Sequence, residues 1–302
     1  MTGRRQHYAQ FYGLLPLPHD DRPLLLVHGN CQAESLRVLL DGGASPVRTV
    51  RVPPVHELTA ADLPHLDRVL AQADVLASQP VRAGYRGLPV GTAEVLSRAG
   101  RRIRPVLVPI VRWAALHPFQ VIVRSPAAGE PPIVPYHDLR TLTLAAGRPP
   151  LPEIPCAGAV RAVRELSMQE LHGRQARHGT LPVVDVLLGA GAAATHTVNH
   201  PGNGVLAEVA RRVLAAAGLP GTVADPGRTL LGSVHTPVRP EVLDALGIAG
   251  GPGPTRDDWL VHGHRVADCE VRAAHLRWYA EHPGVAEAGL ARHSDAAAAL
   301  TA

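Results

Sequence analysis

The chain of 302 residues contains no lysine; all 30 basic residues are arginine. This excludes mechanisms built on an ε-amino group: a pyridoxal phosphate Schiff base, a lysine-dependent aldolase, a Walker-type phosphate loop. Cysteine is also scarce. Cys31, Cys156 and Cys269 are odd in number and far apart, which argues against a disulfide framework and a zinc knuckle. Aromatic residues make up 3% of the chain and no basic–aromatic module occurs, so a formal charge of +4 does not point to nucleic acid. No apolar run approaches the roughly 20 residues of a membrane span. Leu14-Leu15-Pro16-Leu17-Pro18 is too short and proline-rich for the apolar core of a leader peptide. The expected location is therefore cytoplasmic. The length allows a full hydrophobic core, and a homo-oligomer remains open.

The most informative stretch is 24–43. Its apolar opening, 24–27, predicts a buried strand. Leu36, Leu39 and Leu40 predict a helix stopped by Gly42 and Gly43. Between them lies the polar turn His28-Gly29-Asn30-Cys31-Gln32. A strand that turns directly into a helix places such residues at the helix N-terminus. Unpaired N–H groups and the helix dipole there favour negative charge and lower a thiol's pKa. Cys31 is thus a candidate nucleophile, and Gly29, Asn30 and Gln32 are candidate anion or oxyanion contacts.

Apolar runs at 24–28, 47–52, 74–78 and 105–110 alternate with helical patterns at 31–41, 59–72 and 92–99. This alternation predicts an α/β fold with an N-terminal, mostly parallel sheet flanked by helices. Ligands in such sheets sit at the carboxyl ends of strands. The polar turns at 28–32, 78–80 and 111–113 fall at those ends, which adds Gln79 to the candidates. Residues 118–155 hold nine prolines and read as an irregular connection, with one strand at 121–123. The predominantly helical C-terminal half is expected at 158–172, 182–189, 203–217, 239–246, 268–281 and 284–300, with an extended piece at 195–200. The organisation expected is an α/β region over 1–117, the connection over 118–155, and a mainly helical region over 156–302 that completes the site.

A cysteine nucleophile needs a base, and the 17 histidines offer many. His200 stands out in Asn199-His200-Pro201-Gly202-Asn203, at the end of the extended piece and the start of a helix. His196 alternates onto the same face if that piece is one strand. Asn203 is placed to cap the helix. Asn199 is a candidate substrate contact, as are His137 and Asp138 in the proline-rich connection. His262-Gly263-His264 looks like a metal pair but lacks a third ligand at diagnostic spacing, so no metal is expected. Arginines crowd 82–124, with Arg98, Arg101, Arg102 and Arg104 suited to solvation of a helix end. Arg82 and Arg86 differ. They flank Tyr85 just after Gln79, where guanidinium forks suit phosphate or carboxylate; Arg112 is a further candidate.

Three motifs together resemble the WcbI-type polysaccharide biosynthesis family. They are Gly29-Asn30-Cys31-Gln32, Gln79-Pro80 with Tyr85-Arg86, and Thr197-Val198-Asn199-His200-Pro201 followed by Asn203. The likeness spans about 22–220, and the last 80 residues match nothing recognised. It implies a coenzyme A-binding protein that transfers an acyl group, usually acetyl, to a hydroxyl of a sugar or related small acceptor. It places Cys31 and His200 in the active site, with Arg82, Tyr85 and Arg86 near it. Two alternatives compete with this reading: a cysteine-dependent thioesterase or esterase, and a non-catalytic nucleotide- or sugar-binding accessory protein.

Overall fold

The computed structural model describes residues 3–42, 44–100, 102–219, 221–249 and 258–301; Gly43 and Arg101 lie outside them. In chain order its elements are α1 (Gly3–His7), β1 (Leu24–His28), α2 (Cys31–Leu40), β2 (Arg48–Thr49), α3 (Leu63–Leu70), β3 (Val75–Ser78), α4 (Thr92–Arg98) and β4 (Arg104–Leu107). Next come β5 (Gln120–Val121), β6 (His137–Asp138), α5 (Leu139–Ala145), α6 (Ala157–His178), α7 (Val184–Ala190), β7 (Thr195–Thr197), β8 (His200–Pro201) and α8 (Asn203–Ala216). The chain ends with β9 (Val234–His235), α9 (Pro240–Leu246), β10 (Asp258–Val261), β11 (His264–Ala267), α10 (Asp268–Glu281), α11 (Val285–Arg292) and α12 (Ser294–Ala299). Two compact units result. The first comprises Met1–Ile110, His172–Val186 and Asn203–Leu231; the second comprises Val111–Leu171, Leu187–Gly202 and Gly232–Ala302.

The first unit holds a four-stranded sheet in the order β2-β1-β3-β4, parallel at every pairing. β1 is buried at all five positions, as expected of a central parallel strand covered on both faces. Leu24 and Leu26 enter a core with Leu76, Leu66, Val69, Val95 and Phe11. Leu25 and Val27 point to the opposite face, where α2 packs on β1 and α8 packs on α2. His28 pairs with Ser78, so β1 and β3 finish level. The chain leaves β1 for β2 on one side, then returns to β3 on the other. The carboxyl ends of β1 and β3 therefore flank a topological switch point. β2 is shorter than the expected 47–52 because Pro46, Pro53 and Pro54 confine pairing to two residues. β4 stops at Leu107, ahead of Pro109.

The second unit is helical around small antiparallel sheets: β5 with β6, β7 with β8, and the order β11-β10-β9. Its proline-rich stretch is more regular than its composition predicts. It contains β5, β6 and α5, the last capped by the Asp138 side chain, which accepts from the N–H groups of Arg140 and Thr141. The strand expected at 121–123 lies at 120–121. The piece at 195–200 is a hairpin turned at Val198 and Asn199, not one strand, so His196 and His200 do not alternate along a common strand. His262 and Gly263 form the turn between β10 and β11, both at positive φ. The helix expected over 284–300 is broken at His293. Among the described residues, no helix is long and apolar enough to cross a membrane.

Candidate active site

At the switch point of the first unit the chain passes from β1 to α2 through Gly29 and Asn30. The buried His28 ring donates from Nε2 to the Val90 carbonyl at 2.9 Å, and burial holds its pKa below the ordinary value. Asn30 caps α2, its Oδ1 accepting from the Gln32 N–H at 2.9 Å. Cys31 is then the first helical residue and is half-buried. The positive end of the α2 dipole lies beside it.

Gln79, 1% exposed just beyond β3, braces this turn. Its Oε1 accepts from the Asn30 N–H at 2.8 Å, and its Nε2 donates to Gln32 Oε1 at 3.3 Å. Gly29 makes room for it: a Cβ there would stand 2.3 Å from Gln79 Oε1. The Val55 N–H donates to the Gly29 carbonyl at 2.8 Å. Ser78 Oγ and Thr92 Oγ1 both donate to the Gln79 carbonyl, at 2.8 and 2.9 Å. The side chains of Asn30, Gln32 and Gln79, read from sequence as anion contacts, thus hold one another and the helix cap.

Downstream, Tyr85 packs half-buried against the core of the first unit. Arg82 is exposed. Arg86, also exposed, has a left-handed backbone at φ 55° and donates to the His56 carbonyl at 2.9 Å. Glu94 shapes this loop by accepting from the N–H groups of Gly84 and Gly91. Arg82, Tyr85 and Arg86 share the unit of Cys31. Arg112, His137, Asp138, Asn199 and His200 belong to the second unit.

In the second unit the β7–β8 hairpin presents Asn199 and His200 to Tyr136. The buried Tyr136 hydroxyl accepts from Thr197 Oγ1 at 3.0 Å and lies 3.0 Å from Asn199 Oδ1. It stands 3.2 Å from His200 Nε2, and the two rings meet edge to face. The sequence marks Tyr136 only as part of Tyr136-His137-Asp138 in the proline-rich connection, with no role of its own. Asn203 does not cap α8: its side chain joins the Arg228 carbonyl and the Leu230 N–H. His137 is buried against Tyr279, 2.6 Å from its hydroxyl. Burial, then neighbouring His275, pushes its pKa down to about 4. Asp138 pairs with Arg140 at 2.7 Å. Among the described residues, no group of three or more His, Cys, Asp or Glu side chains could hold a metal ion.

A cysteine heading the helix after the first strand of a parallel sheet, braced from the neighbouring strand end, defines an α/β protein with a thiol at its switch point. The chain belongs to the WcbI family: the model for polysaccharide biosynthesis enzyme WcbI matches residues 24–222. No curated protein matches it. In fold it is similar to a solved structure of WcbI, with a TM-score of 0.74 and 18% identity over 93% of this chain and 99% of that one. That structure is described as a novel polysaccharide biosynthesis enzyme, in its native form without a disulfide bond between coenzyme A and a cysteine.

Proposed function

We propose that this chain is a coenzyme A-dependent acyltransferase that moves an acyl group, most simply acetyl, to a hydroxyl of a sugar or related small acceptor. The observation that carries this reading is Cys31 at the first position of α2, half-buried on a turn held from two sides. A thiolate is favoured there by the helix N-terminus, and the same positive dipole end suits the oxyanion of a tetrahedral intermediate. In this reading the Cys31 thiolate attacks the thioester carbonyl and coenzyme A leaves as its thiolate. The acceptor hydroxyl then gives its proton to His200 and attacks the acyl-cysteine, which releases the Cys31 thiolate again, and the proton passes from His200 to the coenzyme A thiolate. Arg82, Arg86 and Arg112, with Tyr85, are assigned to the coenzyme's phosphate end. His137, Asp138 and Asn199 are assigned to the acceptor. The description of the solved WcbI, which names coenzyme A and a cysteine together in stating that no disulfide joins them in that form, supports the choice of donor.

Intact-mass analysis after exposure to acetyl-coenzyme A is the test. The expected result is one acetyl adduct that Cys31→Ala abolishes. That control is needed because Cys156 and Cys269 are exposed and open to adventitious labelling. An unmodified wild-type chain would favour a non-catalytic binding role. An adduct that decays to acetate at one rate with or without acceptors would favour a thioesterase.

A further inference from the structure

The chain reaches Tyr136 through Pro131-Pro132-Ile133-Val134-Pro135. Ile133 has φ 71°, and the Val134 N–H donates to the Pro132 carbonyl at 2.9 Å. A bond closed across three residues, with the central φ at about +75°, is the strained form of the γ-turn; the common form has φ at about −75°. A side chain branched at Cβ is poorly suited to that backbone. Burial of the side chain does not account for it, because Ile133 is 39% exposed. Local preference therefore points to the common form, and the surroundings impose the strained one.

The contacts that impose it lie on both sides of the turn. From α10 the buried His275 ring donates from Nε2 to the Pro132 carbonyl at 3.0 Å, so the carbonyl that closes the turn is also clamped. On the other side Val134, 1% exposed, and Tyr136 enter an apolar cluster with Val198, Val234, Trp259 and Val271. The Tyr136 hydroxyl then joins Thr197, Asn199 and His200. Proline makes the segment stiff. The φ of Pro135 is fixed at about −65°, which leaves Ile133 and Val134 as the φ rotations between the His275 clamp and Tyr136. A change of sign at Ile133 redirects the chain before it reaches Tyr136.

We propose that Ile133 is a positioning residue: its strained turn, clamped by His275, sets the Tyr136 hydroxyl against Asn199 and His200. The use of this placement rests on the acyl-transfer reading, with His200 as base; the placement itself is read without turnover, so the two fail separately. The test is NMR of the full chain with labelled histidine and tyrosine rings. The Tyr136 and His200 rings meet edge to face with centroids 5.9 Å apart, and should give a cross-ring NOE. Ile133→Gly accepts the positive φ without strain. It should keep that NOE and raise Tm by about 2–4 °C. Ile133→Pro forbids the positive φ and removes no hydrogen bond, since the Ile133 N–H donates to no group among the described residues. It should abolish the NOE and move the His200 ring shifts to their Tyr136→Phe values, with far-UV circular dichroism unchanged. If the proline variant does not fold, His275 carries the comparison. His275→Phe loses the donor and should weaken the NOE; His275→Gln restores a donor and should recover it. The proposal is overturned by a wild-type NOE and wild-type His200 shifts in Ile133→Pro or in His275→Phe, or by an unchanged or lower Tm in Ile133→Gly.

Discussion

Replacing Gly29 by alanine should unseat the brace of the Cys31 turn. Gly29 is not at a positive φ, so conformation is not the obstacle; space is. The new methyl would stand 2.3 Å from Gln79 Oε1 and 2.8 Å from its Cδ. The Gln79 side chain must swing away, which breaks its contacts with the Asn30 N–H and with Gln32. An orphaned, part-buried donor costs about 1–3 kcal/mol and the second bond about 0.5–1.5. The expected loss is therefore about 2–4 kcal/mol, or a Tm lower by about 5–10 °C. Gln79→Ala should cost a similar amount because it removes the same two bonds. The sharp expectation concerns the pair. With Gln79 already alanine the obstacle is gone, so Gly29→Ala should be near neutral, or stabilising by about 0.4–1 kcal/mol through the unfolded chain. Urea denaturation followed by far-UV circular dichroism, with amide exchange at Asn30, is the assay. Fluorescence would mislead, because Trp113, Trp259 and Trp278 all lie in the second unit. Additive penalties in the double variant would refute the clash argument.

Arg82→Ala should weaken coenzyme A binding by about 1.5–3 kcal/mol in calorimetry. Arg86→Ala should weaken it less, because that guanidinium already donates to His56; unchanged affinity in both would move the phosphate contacts elsewhere. Tyr136→Phe removes the hydroxyl that joins Thr197, Asn199 and His200. It should lower kcat by about tenfold with little change in KM, and an unaltered pH–rate profile would remove Tyr136 from the orientation of His200. Acid should destabilise the fold well before the carboxylates titrate. Burial lowers the folded pKa of His28 and His235, and of His196 and His137 to about 4 and His117 to about 3. The unfolded chain, with histidine near 6.5, binds more protons below that pH. The stability present above about 6.5 is therefore lost progressively towards about 3–4. A urea midpoint that stays flat from pH 7 to 4 would contradict this.

The β1–turn–α2 unit is legible in sequence because every signal in it is local: a contiguous apolar run, an asparagine cap, and leucines at helical spacing. The role of Gln79 is not, because its partner Asn30 is 49 positions away and only the strand order brings them together. Helix α5 was masked by prolines on either side, although its own residues, Leu139–Ala145, contain none. The β10–β11 hairpin escaped notice because a histidine at positive φ, His262, occupies a turn position that usually advertises itself with asparagine or glycine. The 195–200 hairpin misled for a similar reason: Val198 reads as strand, not turn.

The way the chain is shared between its two units bears on how it is made. It crosses from one to the other five times, at 110–111, 171–172, 186–187, 202–203 and 231–232, and α6 and α7 each straddle a crossing. A ribosome delivering this chain cannot complete the first unit until residue 231 has emerged, nor the second until the final helices follow. The stretch 24–222 that matches the family is accordingly not a cassette that can be cut out. It carries the Cys31 turn and the Asn199–His200 hairpin but omits β9, β10 and α10 from the second unit and α1 from the first. Shortened versions cut to that boundary should be recovered as aggregates, and grafting or permutation must respect all three segments of each unit.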